Sequence, residues 1–138
     1  MSDNIKLELG DSENLNFQNN SFDAVMAAFG VRNFENLEKG LSEMYRVLQP
    51  GGQLLIIEFS KPHSGIIKWG YRFYMQIMAP KIAAMFKQNA DAYKYLNESA
   101  HAFPERNEFT QILQSVGFKN AKFAPLTFGI CCIYRAEK

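Results

Sequence analysis

Two short segments of nearly unbroken apolar sequence, FDAVMAAF at residues 22–29 and QLLIIEF at residues 53–59, set the tightest limit on how this chain folds. A strand apolar on both faces must be covered on both faces, as strands of parallel sheets are. Between the two segments, Leu37, Leu41, Met44, Tyr45 and Leu48 recur at helical spacing, with Glu38, Lys39, Glu43 and Arg46 on the other faces. Pro50-Gly51-Gly52 stops that helix. Strand, helix and strand over this length predict a right-handed parallel crossover and an α/β fold.

The flanking sequence extends this plan. Residues 5–9 alternate apolar and polar side chains before Gly10-Asp11, the pattern of a short strand running into a turn. Pro104 stands where a helix can begin, Phe109, Ile112, Leu113 and Val116 form its apolar stripe, and Gly117 can close it. Two further strands, 121–126 and 130–135, are joined closely enough to pair as an antiparallel hairpin. With 138 residues, 47% hydrophobic and 21% charged, and with no repeat or linker, the chain reads as one domain.

Composition narrows the function classes. A net charge of +1 argues against a nucleic-acid binder that works through a broad basic surface. The only cysteines, Cys131 and Cys132, are adjacent, which suits a reducing, cytoplasmic setting better than a disulfide framework. The N-terminal sequence has neither the basic start nor the apolar run of a leader or anchor. His63 and His101 stand alone, and no His, Cys and carboxylate set has metal-ligand spacing.

Three segments carry a specific resemblance. RVLQPGGQLLIIEFS at 46–60, FGVRNFENLEKGL at 29–41 and YLNESAHAFP at 95–104 resemble, in that order, motifs of the ubiquinone/menaquinone biosynthesis C-methyltransferases. Gln49 departs from the lysine usual in that family before Pro-Gly-Gly. The resemblance implies part of a Rossmann-like class I methyltransferase fold, lacking the N-terminal helices and first two strands. That missing part would carry the glycine-rich loop and the acidic residue that hold a nucleotide-type ligand. The family strand order then places a gap beside the 22–29 strand, whose open edge invites self-association or a complementing N-terminal half.

The same resemblance implies S-adenosyl-L-methionine as cofactor and methylation of a ring carbon of a lipophilic quinol, with demethylmenaquinol the expected acceptor. Asp11 and Ser12, with Ala28 and Phe29, are expected on the donor side. Arg32 and Asn33 follow the carboxyl end of a strand, where open α/β sheets place ligands. Asn33 is suited to orienting a quinol oxygen, and Arg32 to stabilising developing negative charge. As an isolated pair these two read as a surface ion-pair partner and a helix cap.

The stretch 65–87, rich in aromatic residues and methionine and carrying Lys68, Arg72, Lys81 and Lys87, is expected to belong to a helical cover spanning about 62–104. Its charges interrupt any membrane span, and they suit peripheral contact at the inner face of a membrane. Tyr93, Tyr95 and Phe103 are expected to extend its substrate wall. Two other readings stand beside this one: a methyltransferase for another hydrophobic small molecule, and a non-catalytic fragment or subunit acting as a binding module.

Overall fold

The spine of the molecule is one long strand whose two neighbours run in opposite directions. The computed structural model describes residues 5–62, 65, 69, 70, 73, 95 and 98–138. Strand β1 spans Phe22–Ala28, a one-turn 3-10 helix Val31–Asn33, helix α1 Leu37–Val47 and strand β2 Leu48–Phe59. Helix α2 spans Asn107–Val116, strand β3 Lys119–Leu126 and strand β4 Cys131–Glu137. The sheet order is β1-β2-β4-β3, with β1 parallel to β2 and the other pairs antiparallel. The expected crossover and C-terminal hairpin are both present.

Alternation along β2 decides where the core forms. Leu54, Ile56 and Glu58 point to one face and are buried, while Leu55, Ile57 and Phe59 point to the other and are half-buried. Register carries the buried row across the sheet, with Val25 and Tyr134 flanking Leu54 and Ile56 in turn: Val25 pairs with Leu54, Ile56 with Tyr134, and Tyr134 with Phe123. Helices α1 and α2 lay Leu41, Met44, Phe109 and Leu113 onto this face. Phe109 packs edge-on against Tyr134, ring centroids 4.6 Å apart. No described helix covers the opposite face, where Met26 is 75% exposed.

The helix ends follow local chemistry. Asn36 caps α1 by accepting the Lys39 N–H at 3.0 Å. Gly117 closes α2 in a left-handed conformation (φ 117°), its N–H reaching the carbonyls of Gln114 and Leu113. Helix α2 begins at Asn107, three residues after Pro104, because Arg106 takes φ 58° and turns the chain just before the first helical residue. Strand β2 begins at Leu48, earlier than the expected Gln53, since Leu48 already pairs with Phe22 and Gly51 and Gly52 bond the backbone of Lys138. Gly51 makes this possible at φ 79°.

One expected strand is absent. Residues 5–9 are not in a strand, and Ile5, Leu7 and Leu9 are exposed. Alternation alone gives a segment the capacity to pair, not a partner, and among the described residues nothing pairs with it. The outer edge of β1 is likewise unpaired among the described residues, as the strand order implied.

The link from residue 11 to β1 is held by side chains. Arg46 donates to the carbonyls of Leu15 and Phe17 and to Asn19 Oδ1 at 2.7–2.8 Å, while Glu43 accepts the Leu15 N–H at 2.9 Å and pairs with Arg46. The hydrogen bond from Arg46 holds the Glu43 carboxyl below its ordinary value of 4.5. A carboxyl lowered on folding stabilises the fold above that ordinary value, and the contribution disappears as pH falls through the folded-state value. Thermal melting of Glu43→Gln across the acid range is therefore expected to show a shallower loss of stability than wild type, with the two curves converging at the lowest pH.

Candidate functional site

The carboxyl ends of the parallel pair β1 and β2 point at one corner of the molecule, and the chain turns sharply there. Phe29 follows β1 with φ 55°, an unusual backbone for an aromatic residue, and its N–H still bonds Ile57 O at 2.8 Å. Its ring packs on Phe59 at 4.7 Å. The turn throws Gly30 to Asn33 back across the end of the sheet, into the 3-10 helix.

Glu58 organises this corner. Its side chain is fully buried, and one oxygen accepts from Arg32 Nη1 at 2.9 Å and from the Phe59 N–H at 3.0 Å. The other faces the Arg32 backbone N–H at 3.3 Å. The Arg32 guanidinium, its side chain 10% exposed, also donates to the Phe29 carbonyl and to Ser99 Oγ, and lies 5.2 Å from the centroid of the Phe59 ring. One carboxylate thus holds both the main chain and the side chain of Arg32.

Asn33 faces outward beside it. Its Oδ1 accepts the Tyr95 hydroxyl at 3.0 Å, leaving the two amide hydrogens as the donating end of the side chain. Tyr95 and Ser99 stand four positions apart in the sequence, so neighbouring residues of one loop, Asn33 and Arg32, engage two residues a helical turn apart. A cleft of about 500 Å³ opens on the same side, lined by Gly10, Asp11, Ser12, Glu13, Gly30, Asn33, Phe34, Glu35 and Lys39. Asp11 Oδ1 accepts the Glu13 N–H at 2.8 Å, and Glu13 accepts the N–H groups of Glu35 at 2.6 Å and Asn36 at 3.2 Å. These bonds hold the loop at residues 11–14 against the start of α1.

Of the residues expected from sequence, Asp11, Ser12 and Asn33 meet in this cleft. Ala28 ends β1 and Phe29 follows it, next to Gly30, but neither lines the cleft. Arg32 is not an open cation, because its charge is committed to Glu58. Phe103 is buried in the core against Phe109, centroids 4.9 Å apart, so it packs the interior rather than extending a substrate wall. Tyr95 is exposed beside Asn33. Tyr93, and most of the expected cover at 62–104, lie outside the described residues.

Sequence reasoning missed Glu58 and a second polar cluster behind it. Ser60 Oγ donates to Glu105 at 2.5 Å and accepts from Arg106 Nε at 3.2 Å, and Tyr134 accepts the Arg106 N–H at 2.8 Å. Burial pushes the Tyr134 phenol well above its ordinary value, so it remains protonated. The available signal for Glu58 was its place in QLLIIEF, where a lone acid occupies an inward register position.

The sequence matches the model of the ubiE/COQ5 methyltransferase family over residues 1–138. The chain belongs to that family. It is 41% identical over 138 residues to the demethylmenaquinone methyltransferase of Bacteroides fragilis, covering 100% of this chain and 56% of that protein. It is 44% identical to the Deinococcus radiodurans demethylmenaquinone methyltransferase, covering 97% and 55%. Identity is also 44% to the Geobacter sulfurreducens ubiquinone/menaquinone biosynthesis C-methyltransferase UbiE, covering 97% and 52%. The chain therefore spans about half the length of the curated relatives it matches.

Solved structures agree on the fold. A Thermotoga maritima SAM-dependent methyltransferase superposes with TM-score 0.63 at 19% identity, over 94% of this chain and 62% of that one. An Aquifex aeolicus SAM-dependent methyltransferase gives 0.62 at 16% identity, over 98% and 55%. The ubiE/COQ5 chain thus has the class I methyltransferase architecture.

The ion pair makes a quantitative prediction. Glu58→Ala leaves a buried guanidinium unpaired and is expected to cost about 3–5 kcal/mol, whereas Glu58→Leu combined with Arg32→Met recovers much of the loss. Urea denaturation of wild type, Glu58→Leu, Arg32→Met and the double variant measures the coupling; additive losses would show that the pair is not a unit.

Proposed function

We propose that this chain forms the acceptor-side part of an S-adenosylmethionine-dependent enzyme that methylates a ring carbon of demethylmenaquinol. The observation that carries the reading is the family match over all 138 residues, with relatives named for demethylmenaquinone methylation. The cleft at the carboxyl ends of β1 and β2 supports it.

The residues present fit one end of the cofactor. A side chain added at Gly10 would meet no atom within 4 Å, and at Gly30 only the Ala28 carbonyl at 4.0 Å, so the walls here are open backbone. Asp11 and Ser12 would hold the adenine end between them, with Ala28 and Phe29 behind Gly30. S-adenosylmethionine supplies, when bound, an electrophilic methyl group on a sulfonium. Asn33, whose Oδ1 is taken by Tyr95, would direct its amide hydrogens at a quinol oxygen and so orient the ring toward the donor side of the cleft. Arg32, neutralised by Glu58, acts by fixing the loop that carries Asn33. Its expected role as a charge stabiliser becomes a positioning role. Tyr95 holds Asn33 from the substrate side, and Tyr93 is assigned to the same wall by resemblance.

A complementing N-terminal half is the proposed partner. It would add a strand at the open edge of β1 and bring the glycine-rich loop, and without it two copies can meet at that edge. The enzyme works in the cytoplasm, at the inner face of the membrane that holds its lipophilic substrate.

Titration calorimetry is expected to show no low-micromolar binding of S-adenosylmethionine to these 138 residues alone. Co-expression with the front portion of the Bacteroides fragilis relative is expected to give a complex that methylates demethylmenaquinol, and Asn33→Ala is expected to lower its turnover about 100-fold. A complex that binds S-adenosylmethionine yet methylates only other acceptors would overturn the quinol assignment.

A further inference from the structure

The distribution of charge along the chain is uneven. Residues 61–90 contain Lys61, Lys68, Arg72, Lys81 and Lys87 and no aspartate or glutamate, in a chain whose net charge is only +1. The same stretch holds the chain's single tryptophan, Trp69, and five other aromatic or histidine rings interleaved with methionine and isoleucine. A cationic segment that is also apolar and aromatic suits the boundary between acyl chains and anionic headgroups. Nucleic acid is a poor second candidate, because the rest of the chain is net acidic and would oppose a broad phosphate surface.

Two aromatic residues of this stretch, Trp69 and Phe73, are among the described residues, and both face outward. Trp69 and Phe73 are both helical, one turn apart, and their rings stack with centroids 5.7 Å apart and planes at 17°. Trp69 is 71% exposed and Phe73 42% exposed. A stacked pair this exposed leaves a large apolar area in water that the fold itself does not recover. Tryptophan prefers the interfacial layer of a bilayer, where its ring is buried and its N–H stays hydrated. No helix among the described residues is long and apolar enough to cross a membrane.

We propose that Trp69 and Phe73 form a docking surface for an anionic bilayer, to which the basic residues of the same sequence stretch add electrostatic attraction. The pair inserts at the level of the interface without spanning it. Attraction of the basic residues to anionic lipid contributes most at low ionic strength and is screened by salt. This deepens the functional reading above by naming how the chain reaches a lipid-dissolved quinol, and it rests on that reading only for its purpose. The docking itself requires neither cofactor nor quinol.

Because Trp69 is the only tryptophan, its emission reports the contact directly. The 138-residue chain is titrated with quinone-free vesicles of phosphatidylcholine and phosphatidylglycerol, and in parallel with vesicles of phosphatidylcholine alone. The anionic vesicles are expected to shift the emission to the blue and to carry the chain with them on flotation, with binding weakened by added salt. Trp69→Glu combined with Phe73→Glu, both at exposed positions, is expected to reduce flotation roughly tenfold or more. Lys68→Glu combined with Arg72→Glu is expected to keep the tryptophan probe and lose most of the salt-sensitive binding.

Unchanged emission and no flotation with anionic vesicles at low salt would overturn the proposal. So would emission already blue-shifted without lipid and moving to the red on dilution, which would assign the pair to a contact between copies of the chain. Docking that persists while the methylation assay fails leaves the surface standing and removes only the quinol reading. Methylation without docking does the reverse.

Discussion

The corner where β1 and β2 end is held by a charge pair removed from water, and the geometry of the cleft depends on it. Desolvating a carboxylate and a guanidinium is costly, so the pair persists only because each group is satisfied several times over. Glu58 has Arg32 twice and the Phe59 amide; Arg32 has Glu58, Phe29, Ser99 and the face of Phe59. The result is a loop whose path is fixed by directional bonds rather than by packing alone. The left-handed turn at Phe29 is held in the same way, since its amide stays in the sheet while its carbonyl is taken by Arg32.

That loop joins two parts of the chain that are distant in sequence. Asn33 and Arg32 engage Tyr95 and Ser99, and Gly30 and Asn33 share a cleft with residues 10–13. A displacement at Glu58 would therefore be felt on both sides of the cleft at once. Within this junction the charge of Arg32 is committed to Glu58, while Asn33 beside it lines the cleft.

Much of the fold was legible because its signals are local. Two apolar runs separated by an amphipathic helix imply a parallel crossover, and a close turn between two C-terminal strands implies a hairpin. Residues 5–9 misled because alternation records the capacity to pair and says nothing of a neighbour. The candidate site was legible only in part. Asn33 could be placed from its position after β1, and Asp11 and Ser12 only from family motifs, since no strand precedes them, and the environment of Arg32 is set by Glu58, twenty-six positions away. The burial of Phe103 was equally hidden, since a motif does not tell which of its residues pack into the core. Register and burial are collective properties, and a motif read by itself carries neither.

Strand β4 lies inside the sheet although it is the last of the described strands. It separates β2 from β3, and the residue after it, Lys138, bonds Gly51 and Gly52, reaches Asn20 and the Arg46 carbonyl, and sits 4.7 Å from the Tyr45 ring centroid. During synthesis, β2 therefore leaves the ribosome with only β1 available beside it, and its other edge stays open until β4 emerges. Until then Leu54 and Ile56 lack their β4 neighbours, Ala136 and Tyr134. Quality-control factors that sense exposed apolar strands would meet the chain in that interval, before the fold can close.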